Sequence, residues 1–122
     1  MKAPPGWRSP DDGGAADLDR DLPARGKLRL DFGGHEFVLV AEPGHDRAGR
    51  VTEARLALRR GGSPFVGPGG TYPAAGAIVD SMSLTLSAPT LSLQRLGGGD
   101  RARLAQTAYA LLERAARRLD HA

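Results

Sequence analysis

Cysteine is missing from this chain altogether. Its absence excludes a disulfide scaffold, a thiolate metal site and thiol catalysis, and it disfavours a small disulfide-stapled secreted protein. Aromatic residues are scarce, at 5% of 122 residues, so the core has to be assembled from aliphatic side chains, leucine above all. No apolar run approaches the roughly 18 residues that a membrane-spanning helix requires, so no membrane partner is expected. The opening Met1-Lys2-Ala3-Pro4-Pro5-Gly6-Trp7 has no hydrophobic stretch of the signal-peptide kind, and the default expectation is a soluble intracellular protein. Lysine is nearly absent as well. The positive charge is carried by arginine, which suits a GC-rich coding sequence as well as it suits anion binding.

What is abundant is glycine, 17 residues, and proline, 9, so a good part of the chain is expected to be loop around a modest single core. The net charge is +3, but the excess is thinly spread: residues 1–24 hold three basic and five acidic groups, residues 25–60 eight and five, and residues 100–122 five and three. A nucleic-acid binder concentrates its cations on one face with aromatics among them, and that footprint is weak here.

Residues 1–25 show no sustained period and are expected to form a disordered lead-in, with at most a helical turn near Asp17–Leu22. Trp7 lies in this stretch, and the simplest reading is a stray aromatic in a tail. From Lys27 the pattern alternates: Leu28, Leu30 and Phe32 against Arg29 and Asp31, the mark of a half-buried strand. Gly33-Gly34 then offers a two-residue hairpin turn, and His35–Ala41 reads as the returning strand. After a turn cluster at residues 43–50, Val51–Leu58 places Ala54, Leu56 and Leu58 on one face. These strands predict an antiparallel meander with one wet face. Residues 59–70 read as a flexible Gly/Pro linker inside a single domain spanning 26–122.

The segment Tyr72–Leu86 fits two periods. As a helix, Pro73 takes the first helical position and Ala75, Ile78, Val79, Met82 and Leu86 share a face, with Pro89 ending it; as a strand, Met82, Leu84 and Leu86 alternate with Ser83, Thr85 and Ser87. The helix accounts for more residues and is the expectation. The closing segment is a second helix. Leu104, Ala108, Leu111, Leu112, Ala115 and Leu119 form one stripe, with Asp100 expected as its N-cap and Glu113–Arg117 as an i,i+4 pair. The expected fold is therefore α+β: a small meander of about three strands, followed by two helices packed on one face, behind a disordered N-terminal lead-in.

Candidate chemistry is thin. His35, His45 and His121 share no spacing with one another or with carboxylates that would suit a metal. The stretch Gly61–Gly70 lacks the Gly-Lys-Ser/Thr ending of a phosphate loop and carries prolines that remove donor N–H groups. Asp11, Asp12, Asp17, Asp19 and Asp21 lie in the lead-in, where no cleft fixes them. No catalytic, cofactor-binding or metal residue is assigned, no cofactor is expected, and no small-molecule substrate is evident. Arg47, Arg50, Arg55, Arg59 and Arg60 make the best case for nucleic acid, as a phosphate-contacting rim on the sheet. The partner-binding candidates are the helix stripe itself, Leu104, Ala108, Leu111, Leu112, Ala115 and Leu119, because a short meander offers it little cover.

The order of elements resembles one family. A hydrophobic strand (Phe37-Val38-Leu39-Val40-Ala41), a charged break, a second strand (Val51–Leu58) and a helix at Ala77–Met82 lead to a closing helix ending Leu111-Leu112-Glu113-Arg114-Ala115-Ala116-Arg117-Arg118-Leu119-Asp120. This is similar to the N-terminal region of fungal Mediator complex subunit 1. The resemblance implies a fragment of a longer, non-enzymatic nuclear coactivator that contacts other protein subunits in RNA polymerase II transcription. The alternative is a stand-alone bacterial or phage α+β protein, cytoplasmic, binding nucleic acid through the arginine-rich sheet face.

Overall fold

The computed structural model of the chain describes residues 18–61 and 76–121. Its elements are α1 (Leu18–Arg25), β1 (Lys27–Phe32), β2 (His35–His45), β3 (Val51–Arg60), β4 (Ile78–Thr90), a single 3-10 turn (Leu93–Arg95) and α2 (Gly98–Asp120). The strands form one antiparallel sheet in the order β1-β2-β3-β4. The α+β architecture expected from the pattern is present, with four strands among the described residues where about three were expected.

The turns follow from local chemistry. Gly33 and Gly34 have φ of 59° and 81°, which side chains with a Cβ rarely adopt, and they pair Phe32 with His35 across a two-residue loop. Between β2 and β3 the Asp46 carboxylate accepts from the N–H groups of Ala48 and Arg50, both at 2.9 Å, and folds the turn onto itself. The strand before that turn runs through Pro43 and Gly44 to His45, longer than expected, because Pro43 and Gly44 pair with Ala54 and Glu53.

The segment at 78–90 is a strand, not the expected helix. Met82, Leu84 and Leu86 turn inward while Ser81, Ser83 and Thr85 turn outward, and the register joins Ala54 to Leu84, Leu56 to Met82 and Leu58 to Asp80. Serine and threonine compete with the backbone for hydrogen bonds inside helices, and a helix over this run would have placed them throughout its interior. The rest of the expected helix, residues 72–75 with Pro73, lies outside the described residues. The second helix of the fold is instead α1, inside the supposed disordered lead-in. Leu18 and Leu22 are buried, and Gly26, at φ 72°, closes the helix by donating to the Leu22 carbonyl at 2.8 Å. Residues 1–17, with Trp7, lie outside the described residues. Arg59 and Arg60, expected at the start of the linker, instead complete β3, and the Gly61 N–H donates to the Glu36 carbonyl at 2.8 Å; the rest of the expected linker, residues 62–70, lies outside the described residues.

One face of the sheet carries the core. Leu28, Leu30, Phe37, Leu39, Ala54, Leu56 and Leu58 are buried there beneath α2, which touches β4, β3 and β1, while α1 packs beside α2. Phe32 and Tyr109 meet edge to face with centroids 5.7 Å apart. The N-cap of α2 is Gly97, with extended backbone, rather than Asp100. Asp100 sits in the first turn with its carboxylate turned to β4, a position that still suits the positive end of the helix dipole.

If α1 belongs to the core as described, Leu22→Ala removes a fully buried side chain and should destabilise the chain by about 2–5 kcal/mol in urea unfolding. A loss under about 0.5 kcal/mol, the usual size for an exposed site, would show that α1 does not pack there.

Candidate interaction surface

The six stripe residues proposed for a partner do share one face, as their spacing requires, but that face is turned inward. Leu104, Ala108, Leu111, Leu112 and Ala115 are 0% exposed and Leu119 is 5% exposed. The fourth strand widens the sheet enough to cover the stripe within the chain, so a surface for a partner has to lie elsewhere.

The face that remains is the outer side of the sheet. Register places Arg29, Val38, Arg59 and Ile78 in one row across it, Lys27, Val40, Ala57 and Ser81 in the next, and Glu42, Arg55 and Ser83 in a third. Val38, Val40 and Ala57 are half-buried by their neighbours, and Ile78 is 57% exposed. Around Val40, Ala57, Ile78 and Ser81 the sheet encloses a depression of about 320 Å³. The rim is charge-balanced: Lys27, Arg29, Arg55 and Arg59 alternate with Asp31, Glu36, Glu42 and Glu53. Arg55 Nε donates to Glu53 at 2.8 Å, Arg29 stands 3.7 Å from Glu36, and Arg59 donates to the Gly76 carbonyl at 2.8 Å.

The five arginines of the expected basic rim are not brought together. Arg55 and Arg59 share the outer face, Arg47 and Arg50 stand at the β2–β3 turn, and Arg60 is directed to the opposite face by strand alternation. Four cations against four carboxylates on one face give no net positive field, so the electrostatic footprint of a phosphate-binding surface is absent from the outer face.

The histidines are dispersed. His35 opens β2, its Nε2 2.7 Å from Asp120 Oδ1 at the end of α2, a contact between residues 85 apart that spacing did not show. His45 ends β2 and His121 caps α2. No group of three His, Cys, Asp or Glu residues able to hold a metal occurs among the described residues, and no helix among them is long and apolar enough to cross a membrane. A second concavity, about 250 Å³, opens at the end of the sheet beside Pro23, Arg25, Pro43, His45 and Leu91, the last 69% exposed. It is below the roughly 300–1,000 Å³ of small-molecule sites, and no set of catalytic groups converges on it.

Two carboxylates, Asp80 partly buried and Asp100 buried, connect helix to sheet. Asp80, on the inner face of β4, receives Arg114 Nε at 2.6 Å and Arg114 Nη2 at 3.0 Å, with Arg118 3.8 Å away. Burial pushes its pKa up, but the Arg114 hydrogen bonds, the Ser81 N–H and the charges of Arg114 and Arg118 outweigh burial and hold it below the usual aspartate value. Asp100 behaves alike. Burial raises its pKa, and donation from the Ser87 N–H, the Ser87 hydroxyl, Arg103 and the Ala88 N–H brings it below the usual value. Sequence reading missed both, because Asp80 had been placed on a helix and Asp100 at a cap. It also missed the outer ridge, although the unbroken apolar run Phe37–Ala41 signals a strand with apolar residues on both faces.

Both pKa values are depressed by folding, so the stability these carboxylates contribute is fully present above their unfolded value of about 3.9 and is lost as pH falls through the lower folded values. Urea midpoints measured from pH 7 down to pH 2 should therefore drop below about pH 4. In Asp100→Asn the midpoint should be lower at pH 7 and its acid decline shallower; an unchanged acid decline would show that Asp100 is not held as described. No family model, no curated protein and no solved structure matches the chain.

Proposed function

We propose that the protein is a non-enzymatic protein–protein interaction module that docks a partner through the outer face of its sheet. The observation that carries this reading is the apolar ridge Val38, Val40, Ala57 and Ile78 inside a charge-balanced rim. An apolar centre with a polar, mixed-sign border matches the anatomy of protein interfaces, and mixed rim charges favour a partner with its own alternating charges over a polyanion. The fitting partner is a folded protein surface with an apolar projection for the depression and carboxylates opposite Lys27 and Arg59.

On the family resemblance, that partner would be another subunit of an RNA polymerase II transcription assembly, and the protein a nuclear coactivator component. Support for this narrower reading comes from the strand pair and the closing helix alone, since within Ala77–Met82 the residues from Ile78 onward open β4 and do not form the helix that the resemblance expects. Binding of nucleic acid through Arg55 and Arg59 is the rival reading, and the carboxylates among those arginines argue against it.

The two are separated by measuring the full chain against duplex and single-stranded DNA across a salt series, and against a lysate of the source cells with immobilised wild type and Val40→Glu/Ile78→Glu. The expected outcome is no micromolar DNA binding, and retained proteins that the double variant releases while keeping its fold by circular dichroism. DNA binding at micromolar affinity with a steep salt slope, lost in Arg55→Ala/Arg59→Ala, would overturn the proposal. So would a double variant that retains the same proteins as wild type.

A further inference from the structure

Among the described residues the sheet ends in two edge strands, β1 and β4, and the chain treats them differently. Edge β1 is short, Lys27–Phe32, with a charge at every second position, an ordinary way to discourage another strand from pairing there. The opposite edge, β4, is long, and residues 81–94 carry no charged side chain. Such an edge is a template for an incoming strand.

Hydrogen-bond parity shows which of its backbone groups face outward. Ala41 donates to Gly26 and Gly61 donates to Glu36, which sets the odd-numbered residues of β3 toward β2 and its even-numbered residues toward β4. Leu58, Leu56 and Ala54 therefore bond Asp80, Met82 and Leu84, and Ser81, Ser83 and Thr85 point their N–H and C=O groups away from the sheet. Side chains occupy the outward groups of Ser81 and, where the register is irregular on either side of 80–85, backbone groups of Val79 and Ser87. The Ser81 N–H donates to Asp80 Oδ1 at 2.8 Å, and the Ser81 carbonyl accepts from Arg114 Nη2 at 3.2 Å. Arg118 Nη1 donates to the Val79 carbonyl at 3.0 Å, and the Ser87 N–H donates to Asp100 at 3.0 Å. Ser83 and Thr85, between these plugs, receive no side chain from α2 among the described residues.

We infer that α2 latches the free edge of β4: Arg114 and Arg118, with Asp80 and Asp100, hold its outward backbone groups and so prevent that edge from pairing with the β4 edge of a second copy of this chain. The occupant follows from self-complementarity. An antiparallel β4–β4′ pair with its two-fold axis at Leu84 sets Ser83 opposite the partner's Thr85 and Ser81 opposite the partner's Ser87. It would also extend the apolar face, since Met82 and Leu84 are only half-buried at this margin. With the latch closed, the Ser81 and Ser87 pairings are blocked and only the Ser83 and Thr85 pairings remain, too short a ladder to hold two chains. The inference is independent of what the outer face binds.

The test has two arms. In wild type, amide exchange under native conditions should be about fivefold or more slower at Ser81 and Ser87 than at Ser83 and Thr85, the protection one side-chain hydrogen bond gives. Equal exchange at all four would overturn the latch, and strong protection at Ser83 and Thr85 would show the edge already paired. In Arg114→Ala/Arg118→Ala, light scattering on a size-exclusion column should show a concentration-dependent dimer, and adding Ser83→Pro, which removes an outward N–H, should return it to monomer. A folded double variant that stays monomeric, or a dimer indifferent to Ser83→Pro, would overturn the proposal; if the double variant does not fold, the exchange arm decides it.

Discussion

Everything in this fold depends on one contact, the apolar stripe of α2 against the inner face of the meander. With few aromatics and no disulfide, leucine and alanine side chains supply nearly all the buried surface. The alanines matter as much as the leucines: Ala105, Ala108, Ala115 and Ala116 bring the helix backbone close to the strands, and at Gly33 a Cβ would come within 3.1 Å of Ala116 Cβ. Close approach then lets Arg114 and Arg118 reach over the margin of the sheet to Asp80, Ser81 and Val79. The polar fastening of the edge is a consequence of the apolar seat and would not form without it.

Much of this was legible in the residues. Alternation at Leu28–Phe32, the Gly33-Gly34 turn and the stripe from Leu104 to Leu119 each has one physical solution, and the structure adopts it. The segment 78–90 was not legible by the same means, because Val79, Met82 and Leu86 satisfy a helical period while Met82, Leu84 and Leu86 satisfy a strand period. What decides is the partner: β3 offers an unpaired edge, and backbone pairing along it outweighs a local preference that is nearly neutral. The short α1 was hidden for a similar reason. Eight residues with an internal Pro23 have little intrinsic helicity, and only burial of Leu18 and Leu22 against α2 makes the helix worth forming.

The conformation of the segment 78–90 has a functional consequence. With a helix at 72–86 the sheet appears too narrow to cover α2, and the stripe reads as a surface awaiting a partner. With β4 in place the stripe is covered within the chain, and the face left open is the outer one, where Val38, Val40 and Ile78 stand among balanced charges. Among the described residues, neither the histidines nor Gly97–Gly99 gain a chemical role from the fold. His35 meets Asp120 only because the β1–β2 hairpin and the last turn of α2 lie at the same end of the molecule.

The position of α2 in the chain has a consequence for synthesis. All four strands precede it, and each hairpin can pair as soon as its own residues have left the ribosome. Apart from α1, their leucine-rich face then lacks the cover of α2 until residues 98–120 have also been made. At ordinary elongation rates that interval is on the order of one to five seconds, long compared with the microseconds in which a hairpin forms. During it the nascent sheet presents both a bare apolar face and an unlatched β4, so a ribosome stalled between Thr90 and Leu104 would display the most adhesive form this polypeptide can take.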